Sequence, residues 1–96
     1  MDRQQLLLLL AAQRDRLPTF GVRRLSVFGS AARDELRDGS DIDLLVDFEG
    51  PATLTRYMSF KFFLEDLLGR EVDLVTEKGL RRELRPQVER DAVRVA

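Results

Sequence analysis

The sequence predicts a small α/β domain, a single mixed β-sheet flanked by helices, over residues 1–96. Three observations lead there. Short β-rich runs at Arg23–Phe28, Asp41–Phe48 and Glu71–Val75 alternate with segments of helical apolar spacing. Turn signals separate them at Gly29, at Asp38-Gly39-Ser40, at Gly50-Pro51 and at Gly69. The resulting order, αβαβαβα, is that of a layered α/β domain.

Taken in order, Asp2 with Gln5 three residues later has the spacing of a capping box. It opens a helix expected to run to about Arg16, ended by Pro18. Within it, Leu6–Ala12 is an apolar run far short of the ~20 residues a bilayer span requires. With Asp2 ahead of the run and no clean small-residue cleavage site after it, a core-facing helix is expected and not a signal peptide. Arg23–Phe28 is a short strand halted by Gly29. Ser30 can cap a short helix from Ala31 to about Arg37, and Asp38-Gly39-Ser40 turns the chain.

Asp41–Phe48 then runs as a strand. Ile42, Leu44, Val46 and Phe48 fall on one face, and Asp41, Asp43, Leu45 and Asp47 on the other. Asp47, further along, is expected to be exposed. Thr53–Leu68 has helical periodicity through Leu54, Met58 and Phe62, with Phe63 and Leu67 beside them, and Gly69 stands at the C′ position. Glu71–Val75 is the third strand, Leu80 to about Glu89 a charged helix, and Ala92–Val95 a short edge strand. Arg81, Arg82, Arg85, Arg90 and Arg94 make this end basic, which reads as a solvated face.

Composition excludes several chemistries. Sixteen cationic residues against seventeen acidic ones leave a net charge of −1, with no push toward nucleic acid or an anionic membrane. Without cysteine there is no disulfide framework and no thiolate metal site, which fits a reducing cytoplasm. Without histidine there is no imidazole base, no histidine-containing triad and no zinc-type cluster. Acid–base chemistry must rest on carboxylates or on metal-bound species.

The informative stretch is Val27–Phe48, VFGSAARDELRDGSDIDLLVDF. Residues two apart on a strand share a face, so Asp41 and Asp43 place two carboxylates side by side on a segment whose other residues favour burial. Such a pair repels itself unless a cation neutralises it. Mg²⁺ is bound in this way, through one or two carboxylates plus substrate phosphates. Upstream, Gly29-Ser30 joins a strand to a helix, where a glycine admits close backbone approach and helix N–H groups favour phosphate. Downstream, Asp73 interrupts the apolar strand Val72, Leu74, Val75; if that strand lies beside Asp41 and Asp43, three carboxylates converge. An EF-hand loop fails on spacing, lacking the sixth-position glycine and twelfth-position glutamate. A Walker-type P-loop fails because no Gly-Lys-Ser/Thr follows Gly29.

Gly29-Ser30-x-x-Arg33, then Ser40-Asp41-x-Asp43, then Asp73 on a later strand, resembles the nucleotidyltransferase superfamily. Within it, the pattern is similar to the minimal nucleotidyltransferases (MNT) encoded beside HEPN-domain partners as toxin–antitoxin pairs. The resemblance covers Val22 to about Val95. One position departs: Asp34 stands where many relatives have a glycine after the Ala-Arg pair, which bears on the loop shape and not on the metal ligands. The resemblance implies a nucleotidyltransferase fold with Asp41, Asp43 and Asp73 as catalytic and metal-binding residues. It also implies that Gly29 and Ser30 hold the triphosphate, with Arg33 orienting the loop or neutralising the cluster. Two Mg²⁺ ions, roughly 3.5–4 Å apart in such sites, would clamp the attacking and leaving oxygens. The implied nucleotide is ATP, and the implied acceptor is a tyrosine hydroxyl on a HEPN toxin. Larger polymerase-type relatives grip their acceptors with additional domains. One domain of 96 residues therefore calls for a partner or a second copy to present one. Two alternatives stand beside this reading: an antitoxin that acts by binding alone, and transfer to a small molecule.

Overall fold

The computed structural model describes residues 1–37 and 39–96. Helix α1 (Arg3–Ala11) opens with the expected capping box. Asp2 accepts from the Gln5 N–H at 2.8 Å, and the Gln5 side chain accepts from the Asp2 N–H at 2.9 Å. The helix ends earlier than expected. Pro18 does not terminate it but lies inside a 3₁₀ helix, Arg14–Phe20, closed by Gly21 in the left-handed region (φ 74°). Leu6, Leu10 and Leu17 fill the core from this segment.

Strands β1 (Val22–Phe28), β2 (Ile42–Phe48), β3 (Val72–Thr76) and β4 (Val93–Arg94) form one mixed sheet in the order β3-β2-β1-β4. β2 runs antiparallel to β1 and parallel to β3, and β4 lies antiparallel on the outer edge of β1. β2 is thus interior, and its far half is buried on both faces. Burial here corrects the expectation for Asp47, which is 4% exposed. A register shift between Val22 and Arg24 sets two arginines of β1 against it. Arg23 Nε donates to Asp47 Oδ2 at 2.9 Å and an Arg24 terminal nitrogen donates to the same oxygen at 3.1 Å. These donors hold the Asp47 carboxyl below its usual range, against the burial that would raise it.

Helix α2 (Gly29–Ala32) is a single turn. Ser30 lies inside it and not at its cap, and the chain leaves the helix at Arg33, well before Arg37. Asp34 adopts φ 59°, the conformation a glycine takes readily, so the departure from the family pattern keeps the backbone that a glycine would provide. Its Oδ1 accepts from the Arg3 N–H at 3.0 Å, tying this turn to the start of α1. Asp38, part of the expected turn, lies outside the described residues.

Helix α3 (Leu54–Leu68) is capped by Thr53, which accepts from the Arg56 N–H at 3.2 Å, and closed by Gly69 at φ 65°. Its buried face is Phe60, Leu64 and Leu68, whereas Leu54 and Phe62 of the expected stripe are 76% and 55% exposed. Phe60 packs with Phe20 and Phe48 under the sheet. Helix α4 (Arg85–Asp91) is shorter than the expected Leu80–Glu89 helix. Pro86 explains this, because it supplies no N–H to a preceding turn and is accommodated only at the start of a helix. The C-terminal arginines 81, 82, 85, 90 and 94 are exposed, as expected.

Candidate active site

The sheet topology gathers the sequence candidates at one end. β1 finishes at Phe28 where its antiparallel neighbour begins, and Phe28 is the register partner of Asp43. β3 starts at the same end, and its second residue, Asp73, is the register partner of Asp43 on the other side. Asp43 is therefore flanked by the Gly29 turn and by a second carboxylate. Gly29 has φ 67°, and a Cβ built on it would collide with the Asp43 carboxylate; both facts demand glycine here.

Asp43 is half-buried, and its carboxyl is pushed up to about 6. Burial is the largest cause, followed by the charge of Asp73 and then that of Asp41, with Arg33 opposing. Asp41 precedes β2, is exposed, and lines a separate depression with Ser40, Arg70 and Glu71. Among the described residues, no group of three His, Cys, Asp or Glu side chains is drawn together tightly enough to hold a metal ion. The structure thus brings Asp43 and Asp73 together and sets Asp41 beside them. The donor set is of the kind a hard divalent cation takes: it consists of oxygen only, and the charges of Asp73 and Asp41, which add to burial in raising Asp43, are what such a cation relieves.

A cavity of about 360 Å³ opens over Asp43. From α2 and the following turn it is lined by Gly29, Ser30 and Arg33, the predicted phosphate-side residues. Its opposite wall is α4, through Gln87, Val88 and Asp91, with Leu84 just ahead of the helix, none of which the sequence singled out. Asp91 binds Arg33 at 2.7 Å, and Glu35 meets the same guanidinium at 3.3 Å. No local signal could have revealed this wall, because Arg33 and Asp91 are 58 positions apart. A second open cavity, about 380 Å³, lies where the 3₁₀ helix meets the start of α3. It contains no carboxylate, and its Arg56 already donates to the carbonyls of Glu49 (2.7 Å) and Pro51 (3.2 Å). The carboxylate cavity is the candidate site.

A strand-end glycine-serine turn beside carboxylates paired across a sheet register is the arrangement expected of a nucleotide-handling α/β transferase. Comparison with known proteins agrees. The nucleotidyltransferase domain model matches residues 9–95, and the chain belongs to that family. It is 40% identical over 88 residues to protein adenylyltransferase MntA of Thermococcus cleftensis, covering 92% of this chain and 89% of that one. A solved structure provisionally described as a minimal nucleotidyltransferase superposes with a TM-score of 0.84 at 45% identity, covering 97% of this chain and 95% of that chain. At 22% identity, where likeness speaks for the fold alone, a chain from the complex of tri-AMPylated Shewanella oneidensis HEPN toxin with MNT antitoxin superposes at a TM-score of 0.64. That match covers 98% of this chain and 68% of that chain. The chain is a nucleotidyltransferase with a four-stranded mixed sheet. Among the described residues no helix is long and apolar enough to cross a membrane.

Proposed function

We propose that residues 1–96 act as one minimal nucleotidyltransferase domain that transfers AMP from ATP, with Mg²⁺, to a hydroxyl of a cognate HEPN-domain toxin. The acceptor would be a tyrosine, and the protein would be the cytoplasmic antitoxin of the pair. One observation carries the reading: Asp43 lines a single cavity with Gly29 and Ser30 and is the β2–β3 register partner of Asp73. The name of the Thermococcus relative and the AMP-bearing toxin of the Shewanella complex support a protein acceptor.

In this reading, Gly29 admits the β- and γ-phosphates close to the backbone and the Ser30 hydroxyl donates to them. Arg33, at the cavity rim, neutralises charge. Asp41, Asp43 and Asp73 would hold two Mg²⁺ ions, which when bound supply charge neutralisation and polarise the α-phosphate. Asp73 takes the proton of the acceptor hydroxyl at a carboxylate oxygen. The acceptor oxygen then bonds to the α-phosphorus as the α–β bridging bond breaks and pyrophosphate leaves. Most of the rate would come from positioning and from preorganised charge.

The test is the intact mass of the co-expressed toxin after incubation with ATP and Mg²⁺. AMP-sized increments are expected with the wild type and none with Asp41→Asn or Asp43→Asn. An unchanged toxin mass with the wild type, together with full neutralisation by Asp41→Asn, would overturn the enzymatic reading in favour of neutralisation by binding.

A further inference from the structure

The two walls of the cavity differ in chemistry. The Gly29-Ser30 side offers what a triphosphate needs: backbone approach, a hydroxyl and, in Arg33, a cation. The α4 side offers what a triphosphate does not use. Leu84 is a large apolar side chain left 48% exposed at the mouth, and Val88 backs it from the core side at 8% exposure. Between them Gln87 is the only neutral side chain on this wall carrying both donors and an acceptor, and among the described residues no hydrogen bond engages its carboxamide. The fourth residue of the wall, Asp91, is bound to Arg33.

An exposed leucine beside an unengaged carboxamide suits a flat heterocycle with a hydrogen-bonding edge. Apolar surface covers the ring face, and the amide pairs with adjacent donor and acceptor atoms as it does with adenine. We infer that α4 is the nucleobase wall of this site, with Leu84 packing on the ring and Gln87 reading its edge, so that Gln87 sets the base preference. The inference rests on the nucleotidyltransferase reading of the same cavity and extends it from the phosphates to the base. The Arg33–Asp91 ion pair holds α4 in place for this role by tying the base wall to the phosphate turn.

The test compares binding of ATP, GTP, CTP, UTP and inorganic tripolyphosphate, each with Mg²⁺, to the full chain by calorimetry. The variants are Gln87→Leu and Leu84→Ala, and melts without ligand confirm that each folds. The wild type should bind one nucleoside triphosphate well above the others and above tripolyphosphate. Gln87→Leu should cut the discrimination between bases by about tenfold, the worth of one to two hydrogen bonds, with tripolyphosphate unaffected. Leu84→Ala should weaken all four nucleotides alike, again sparing tripolyphosphate. If the wild type binds ATP no better than tripolyphosphate, or if Gln87→Leu leaves base discrimination intact, the base wall is overturned while the nucleotidyltransferase reading stands. If the wild type binds none of the ligands, the reading of the site itself fails, and the base wall with it.

Discussion

At the scale of the residue, two aspartates of β2 have opposite fates. Asp43 is half-buried and, secondly, sits among like charges, so its carboxyl is raised from 3.8 to about 6. Asp47 sits against Arg23 and Arg24, so its carboxyl is lowered. The signs give separate pH windows. A raised folded value means that the Asp43 contribution to stability is fully present below 3.8 and is lost as pH rises through about 6. A lowered one means that the Asp47 contribution is present above its unfolded value and is lost as pH falls through its lower folded value. Asp43→Asn should therefore melt close to the wild type at pH 4 and above it at pH 7.5, in chelator. It should also lose transfer, because the amide no longer presents an anionic ligand. Melting curves measured across pH 4–8 check this, and a wild type and variant that track in parallel would remove the repulsion argument. Both windows trace to neighbours in space, since residues of one strand four apart share a face yet meet different partners.

At the scale of the element, α3 separates what periodicity can and cannot decide. Its sequence, LTRYMSFKFFLEDLL, is apolar on more than one side, so i, i+4 spacing fits both Leu54–Met58–Phe62 and Phe60–Leu64–Leu68. The sheet selects the second set, and Phe60 is fully buried between Phe20 and Phe48. Phe60→Ala should destabilise by about 3–5 kcal/mol, the cost of an aromatic-sized cavity. Phe62→Ala should change stability by no more than about 0.5 kcal/mol, as a substitution on an exposed face. Urea titrations measure both. Equal losses would mean that the helix is seated on its other face. α4 gives the complementary case: Pro86 marks in the sequence where that helix can begin, while nothing local tells that its side walls the cavity.

At the scale of the molecule, the site exists because three strands bring their ends together. Gly29 follows the end of β1, Asp43 lies near the start of β2 and Asp73 near the start of β3, all at one end of the sheet. Ligand binding there should stabilise the whole fold, since only the native topology assembles it. ATP with Mg²⁺ at a hundredfold excess over Kd should raise the melting temperature by on the order of 10 °C for a chain of this size. Ser30→Ala should reduce ATP affinity by about fivefold, the loss of one hydrogen bond. Differential scanning fluorimetry over an ATP series reads both. No shift with millimolar ATP, alone or with the partner bound, would overturn nucleotide binding.

The sequence by itself determined the class of this protein. Asp43 in its strand, the Gly29-Ser30 strand-to-helix step and the lone aspartate in the Glu71–Val75 strand are local patterns, and local backbone geometry dictates where such side chains point, whereas Asp41, expected on the same strand face as Asp43, precedes β2 and lines a separate depression. The capping box at Asp2, the cap at Thr53 and the αL glycine at Gly69 were legible for the same reason. Only the tertiary structure decided that Asp47 is buried, which face of α3 meets the sheet, that Asp43 is paired in register with Asp73, and that the cavity over Asp43 has α4 as its far wall. Each of these rests on contacts between residues distant in the chain, such as Arg23 with Asp47 or Arg33 with Asp91. Such pairings are chosen by how the elements pack against one another, and no single segment carries that information.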